Sequence, residues 1–454
     1  MNLTTLEEAI NLTEKEVKEL HREYLNPGLV SLMSLIGFDK VYSSGEGSIV
    51  RDIKGKEYID FLGGYGSLNL GHNPSEVFSA LEKVKSIPNI LQASLGSLAA
   101  VLAKNLALIA PGDLKRSFFC NSGAEAVEGA LKLARIASKK EKIIYCEGSF
   151  HGKTLGALSV TGREKYKKHF QPLIPNCQAV PFGDINSLES AIKNKDCAAF
   201  IMECIQGEGG IIVPPEGYLK MVQDLCLKYD VLLIIDEIQT GLGRTGKIFA
   251  CEYEDVVPDI MCLAKSLGGG IMPLGAYITN ERIYKNAYGG MEKALLHTST
   301  FGGNSLACAA GIAALKSIID GNLTAEALNK GNYLISELKI LKNNYGLIKD
   351  VRGKGLMIGL ELSGSNNSLL NRLSGGTLES LANEYFASFL AGKLLNDYQI
   401  ITAYTLNNPN VIRIEPPLTI EYKHLDRLLL ALEDILKNHQ SFIKMAFANI
   451  KNVF

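Results

Sequence analysis

The 454-residue chain has almost no net charge: 47 Lys and Arg stand against 48 Asp and Glu, leaving −1 at neutral pH, and no basic run compensates locally. Such a chain has no long-range field to gather nucleic acid or anionic lipid, so neither is expected as a partner. No uninterrupted apolar stretch approaches the roughly 20 residues needed to span a bilayer. The first residues, Met1 to Glu19, are dotted with Glu and Lys and lack the apolar centre of a secretory signal, so a cytoplasmic location is expected. The cysteines (Cys120, Cys146, Cys177, Cys197, Cys204, Cys226, Cys251, Cys262 and Cys308) are scattered, odd in number and form no CxxC pair. They read as reduced, mostly buried small hydrophobes, and no metal site is expected. There is no internal repeat.

What is present is enough apolar material for a large core. With 46% hydrophobic and 21% charged residues the chain is expected to divide into two or more lobes and to act on small molecules. Short apolar runs with Ile in each, at 142–146, 198–204, 231–236, 259–263 and 275–279, predict strands. Stretches of helical period at 124–137, 217–229 and 304–319 predict helices between and after them. Strands this apolar are covered on both faces, so the expected fold is α/β with a mostly parallel central sheet. The character changes near Asn322, where strands at 357–362 and 411–414 lie among helical stretches, as in a second, smaller lobe. The expected division is 1–75, an N-terminal segment with a helical extension and part of the small lobe; 76–321, the large domain; and 322–454, the C-terminal small domain. The Ser-, Asn- and Gly-rich stretch 363–383 reads as a loop insertion with room for a short helix.

Three runs carry chemistry. Val231-Leu232-Leu233-Ile234-Ile235-Asp236 is an apolar strand ending in an acid, at the end where open α/β sheets bind ligands. Ala264-Lys265-Ser266-Leu267-Gly268-Gly269-Gly270 sets one lysine between a strand and three glycines, where a dry site would favour its neutral, nucleophilic form. Asn121-Ser122-Gly123-Ala124-Glu125 opens a helix whose free N–H groups suit a phosphate. Each has an ordinary structural use as well: a strand-end cap, a lysine snorkelling to water, an N-cap. A fourth run, Gly241-Leu242-Gly243-Arg244-Thr245-Gly246-Lys247, has P-loop spacing, but Ile248 stands where Ser or Thr must hold magnesium, and no helix start follows.

Together these runs resemble the class III (ornithine/4-aminobutyrate type) pyridoxal-phosphate aminotransferases, and among them most closely the putrescine aminotransferases. The resemblance covers nearly the whole chain. It takes in Tyr58-Ile59-Asp60-Phe61-Leu62-Gly63-Gly64, Gly71-His72-Asn73-Pro74, Asn121-Ser122-Gly123, Phe150-His151-Gly152-Lys153 and Gln206-Gly207-Glu208-Gly209-Gly210. It continues through Asp236-Glu237-Ile238-Gln239-Thr240-Gly241, Lys265, Thr298-Ser299-Thr300-Phe301-Gly302-Gly303-Asn304 and Arg413-Ile414-Glu415-Pro416-Pro417.

The resemblance implies a fold type I transferase with pyridoxal 5'-phosphate as cofactor. Lys265 would hold it as a Schiff base and then carry the proton between substrate and cofactor. Asp236 would keep the ring nitrogen protonated, Gln239 would bond the phenolic oxygen, and Phe150 and Ile238 would pack the two ring faces. Ser122, Gly123 and Ala124 would hold the phosphate, with His151 and Glu203 also at the cofactor. Thr300 would reach the phosphate across the interface of a homodimer. Arg413 would bind a substrate carboxylate, with Glu208 pairing it when none is present; Tyr65 and Lys153 complete the expected substrate residues. Lys153 stands where ornithine aminotransferases have arginine, and Asn26-Pro27-Gly28 and Tyr404-Thr405-Leu406-Asn407-Asn408 also look like the diamine enzymes, so putrescine with 2-oxoglutarate is the expected pair. Ornithine, acetylornithine or 4-aminobutyrate is the alternative donor. Two departures from the family pattern, Cys204 in place of proline and the 363–383 insertion, keep open an amine or aldehyde of a specialised biosynthetic pathway.

Overall fold

A computed structural model of the chain describes residues 3–91, 93–363 and 377–438. Its centre is a seven-stranded sheet in the order Arg116–Cys120, Gly275–Thr279, Ile260–Leu263, Leu232–Asp236, Cys197–Glu203, Lys142–Cys146, Cys177–Val180. The pairings from Ile260–Leu263 to Cys177–Val180 are parallel; Gly275–Thr279 runs antiparallel to both its neighbours. Every residue of Cys197–Glu203, Leu232–Asp236, Ile260–Leu263 and Gly275–Thr279 is buried, which is why these segments are continuously apolar instead of alternating. Helix Gly123–Ser138 covers one face with Ala126, Val127, Ala130, Leu131, Leu133 and Ala134. Helix Ser305–Asp320 packs against Ser75–Val84 and Ser97–Ile109, and its apolar residues serve that core. Among the described residues no single helix is long and apolar enough to cross a membrane.

Two smaller sheets flank this centre. Tyr42–Glu46, Ile49–Asp52 and Glu57–Asp60 form an antiparallel meander, and Ile400–Ile401 joins it parallel to Glu57–Asp60, so distant parts of the chain share one sheet. The other sheet is antiparallel, in the order Ile348–Lys354, Met357–Leu362, Val411–Ile414, Ala403–Tyr404. Helices Leu323–Asn344, Thr377–Tyr398 and Tyr422–Asn438 complete this part. At the N-terminus, Leu6–Ile10 and Glu14–Leu20 each start with a reciprocal capping box, Thr5 with Glu8 and Thr13 with Glu16. Of the expected loop at 363–383, residues 364–376 lie outside the described residues; from Thr377 onward the chain is helix, which corrects the loop boundary.

The glycine-rich run Gly241–Lys247 is a turn and not a nucleotide loop. Its Arg244 is fully buried and donates to the carbonyls of Leu356 and Pro416 and to Asn69 Oδ1, at 3.0, 2.5 and 2.7 Å. It therefore joins the central sheet to both flanking parts. The parallel strands leave Glu203, Asp236 and, one turn on, Lys265 at the same sheet edge, with Glu203 opposite Asp236 and Asp236 opposite Cys262 in the ladder.

Candidate active site

Beyond these strand ends lies a cavity of about 640 Å³, lined among others by Ser122, Phe150, Asp236, Ile238 and Lys265. Lys265 follows the buried Ile260–Leu263 strand with φ 50°, a left-handed conformation that a side chain adopts only when its surroundings impose it. The glycines after it let the chain turn away at once. Burial pushes the Lys265 ammonium below its usual range. The Glu415 carboxylate is the largest opposing influence, Arg413 adds to the lowering, and Glu208 and Asp236 oppose it.

Asp236 is buried and held from two sides: Ile238 N–H donates to Oδ1 at 3.0 Å, and His151 Nδ1 lies 2.7 Å from Oδ2. A carboxylate only accepts, so this bond sets the proton on Nδ1 and leaves Nε2 facing elsewhere. Nε2 is buried and has no hydrogen-bond partner among the described residues. Glu203, on the next strand, accepts from Phe150 N–H and Gly207 N–H at 3.0 and 2.9 Å. Burial pushes its carboxyl up to about 7; His151 and these two N–H groups oppose the rise, and the Asp236 charge adds to it.

Ser122 caps helix Gly123–Ser138, its hydroxyl accepting from Glu125 N–H at 3.2 Å, and Gly123 and Ala124 form the helix's first turn on the cavity wall. First-turn N–H groups have no intrahelical acceptor and carry the positive end of the dipole. Gln239 lies across the cavity, where Nε2 donates to Tyr65 O at 3.3 Å and to Glu415 Oε2 at 3.1 Å. A Cβ on Gly207 would lie 1.7 Å from Gln239 Oε1, so only glycine lets this amide sit where it does.

Arg413 lies beneath the cavity wall with none of its surface exposed. Its Nη2 meets Glu208 Oε2 at 2.5 Å and its Nη1 meets Glu415 Oε2 at 3.5 Å, while the guanidinium stands 5.2 Å from the centre of the Tyr65 ring. Nη2 is paired with Glu208 across this short contact, and Nε has no hydrogen-bond partner among the described residues. Glu208 itself lines the cavity and accepts from Leu406 N–H at 2.7 Å. Burial alone would lower the Arg413 pKa; Glu208 and Glu415 outweigh it and hold the group above its usual value.

The structure thus gathers Tyr65, Ser122, Gly123, Ala124, Phe150, His151, Glu203, Glu208, Asp236, Ile238, Gln239 and Lys265 around one cavity, with Arg413 behind Glu208. Lys153 is elsewhere: it is exposed, and its ammonium lies 4.8 Å from the centre of the Tyr166 ring. Thr300 is exposed beside a separate depression that it shares with Leu91 and Leu95. Cys204 does not line the cavity; its thiol is buried 3.6 Å from Glu237 Oε1. Sequence reasoning gave no role to Glu415 or Leu406. The only signal for either was membership of a quoted run, because burial of a Glu between an isoleucine and two prolines cannot be read from its neighbours.

The family model for Aminotransferase class-III matches residues 37–436. The chain belongs to the class III aminotransferases. It is 38% identical over 462 residues to Aminotransferase PigE of Serratia sp. (strain ATCC 39006), covering 95% of this chain and 54% of PigE, so the chain spans about half the length of that relative. Ornithine aminotransferase from Toxoplasma gondii ME49 matches with a TM-score of 0.82 at 31% identity, over 96% of this chain and 100% of that one. Acetylornithine aminotransferase from Elizabethkingia anophelis matches with a TM-score of 0.75 at 32% identity, over 94% and 100%. An amine transaminase from an uncultivated Pseudomonas species, solved in its PLP-bound form, matches with a TM-score of 0.78 at 29% identity, over 88% and 95%.

Class III aminotransferases have fold type I and use pyridoxal 5'-phosphate. The site of this aminotransferase fits that cofactor on its own terms. A lysine whose ammonium is destabilised, a buried carboxylate held in place by His151, and the first turn of a sixteen-residue helix meet in one cavity. The buried His151 Nε2, without a hydrogen-bond partner among the described residues, belongs to a residue of the same wall.

Proposed function

We propose that this aminotransferase moves an amino group from a terminal amine, putrescine or a related diamine, to 2-oxoglutarate, in two half-reactions at one site. The observation that carries the proposal is the buried Arg413, covered by and paired with Glu208 from the cavity side. A guanidinium fork of this kind suits a carboxylate. With Glu208 in place Arg413 is already paired, which suits a donor that has no α-carboxylate. With the Glu208 side chain withdrawn, Arg413 is available to the oxo acid, and no charge is left buried and unpaired in either half.

When bound, pyridoxal phosphate supplies an electron-withdrawing ring that stabilises negative charge on the carbon next to the transferred nitrogen. In this chain Lys265 Nζ would hold the cofactor and, once released, take a proton from the substrate carbon and return it. Its depressed pKa favours the neutral amine this requires. Asp236, kept in one orientation by His151 and Ile238 N–H, would hold the proton on the ring nitrogen. Ser122, Gly123 and Ala124 would carry the phosphate, Gln239 the ring hydroxyl, and Phe150 and Ile238 the ring faces, with Glu203 fixing Phe150 and Gly207 through their N–H groups. Thr300 would complete the phosphate site of a second copy in a homodimer; exposed Leu91 and Leu95 beside it support an interface there.

The diamine is supported by the run Tyr404-Thr405-Leu406-Asn407-Asn408, which resembles the putrescine enzymes and touches the site: Leu406 N–H and Asn407 N–H donate to the Glu208 carboxylate and carbonyl at 2.7 and 2.9 Å. A second reading, ornithine or acetylornithine as donor, is favoured by the solved relatives that carry those names. The visible absorption of the cofactor-loaded protein decides between them. Putrescine is expected to bleach the band, and 2-oxoglutarate to restore it. Bleaching by ornithine or acetylornithine alone would move the donor assignment to the second reading.

A further inference from the structure

Glu415 is fully buried beside the site and is not accounted for by cofactor or substrate binding as proposed above. Its Oε2 serves both Gln239 Nε2, at 3.1 Å, and Arg413 Nη1, at 3.5 Å, while Oε1 has no partner among the described residues. A buried carboxylate oxygen without a donor is costly, so its position calls for an explanation. Arg413 therefore has two counter-anions, and they differ in freedom. The Glu208 side chain lines the cavity, so there is open space beside it to withdraw into. Glu415 cannot follow. Its N–H donates to Phe61 O at 2.7 Å, Pro416 and Pro417 come next, and Pro416 O is bonded by Arg244 at 2.5 Å. Its carbonyl is so close to Gly63 that a Cβ there would lie 2.4 Å away.

We propose that Glu415 is a fixed counter-anion of Arg413 that determines specificity: it keeps Arg413 partly neutralised after Glu208 withdraws, and so biases the site toward cationic donors and against carboxylate ligands. The charge distribution points the same way. In this buried region, where charges are weakly screened, Arg413 meets two carboxylates, Glu208 and Glu415, before any ligand arrives. An incoming carboxylate has to compete with them for Arg413; an incoming ammonium does not. Glu415 acts through Arg413 and is a positioning residue, not a participant in bond making.

The inference rests on the aminotransferase reading above, and its test uses glutarate, a dicarboxylate with no oxo group to react. Binding of glutarate to the cofactor-loaded protein, followed by calorimetry, is expected to tighten roughly tenfold in Glu415→Gln, the scale of one unit charge at partial screening. The KM for 2-oxoglutarate should fall in step. Glu415→Asp, which keeps the charge and alters the packing, should bind glutarate as the wild type does. Glu415→Met, which needs no hydrogen-bond donor, asks the same question if the amide variant does not fold. Unchanged or weaker glutarate binding in the neutral variants, or an equal change in Glu415→Asp, would overturn the role of Glu415 and leave bleaching of the wild type by amines intact. Failure of every amine to bleach the wild type would instead overturn the reading beneath it.

Discussion

Glu203 and Asp236 end neighbouring strands and face one cavity, yet their surroundings treat them differently. Asp236 receives a hydrogen bond from His151, whereas Glu203 receives only backbone N–H groups and is pushed up to about 7, mainly by burial. An acid with a raised folded-state pKa holds its proton over the range where the unfolded chain has released it. Stability therefore falls as pH rises from about 4.5 to 7, by up to about 3 kcal/mol. Urea unfolding of the cofactor-free protein at pH 5 and pH 8 checks this. Glu203→Gln does not titrate, so the stability of wild type relative to the variant should fall between the two values; parallel behaviour would mean that Glu203 is ionised throughout. Asp236 and Lys265 were legible in the sequence because a polar residue ending a wholly apolar strand stands out. Glu415 was not, because what distinguishes it is burial by Phe61, Gly63 and Gln239, all distant in sequence.

Elements show the same division. The strands at the centre of the large sheet were legible because burial on both faces makes them nearly continuous apolar runs, rich in Ile, Leu and Ala. Arg116–Cys120 and Cys177–Val180 were missed: they are the sheet's two edges, short, and only partly buried, so polar residues interrupt them. The turn after Cys197–Glu203 could be read as part of a family motif, but not why it needs glycine. With a Cβ on Gly207 only 1.7 Å from Gln239 Oε1, Gly207→Ala should displace the Gln239 amide, cost about 1–3 kcal/mol and weaken cofactor retention. Removing the obstacle should recover much of the loss. Thermal unfolding of Gly207→Ala, Gln239→Ala and the double variant measures the coupling, and strictly additive effects would exclude the steric clash as the cause.

At the scale of the whole molecule, the segments around the meander and the second antiparallel sheet meet the central sheet where one cation is buried. Asn69 comes from the N-terminal part, Leu356 and Pro416 from the C-terminal part, and Arg244 from the turn after the central Leu232–Asp236 strand; the guanidinium bonds all three. In the sequence this arginine sat inside a glycine-rich pattern that imitates a phosphate loop, and the spacing that misleads is what a tight, buried turn requires. Burial lowers the Arg244 pKa to about 10, with Glu415 and Asp60 opposing the shift, so the group stays charged across the neutral range. Arg244→Met keeps much of the side-chain volume but leaves the Leu356 and Pro416 carbonyls and Asn69 Oδ1 without their donor. Leaving buried acceptors without a donor costs about 1–3 kcal/mol each. The Pro416 carbonyl follows Glu415 directly, so the damage should extend to the carboxylate that restrains Arg413. Arg244→Met is therefore expected to lower the unfolding temperature and, in the fraction that remains folded, to change glutarate affinity, which calorimetry would read. An equal loss of stability with unchanged glutarate affinity would mean that Arg244 fixes the joint between the parts without setting the position of Glu415.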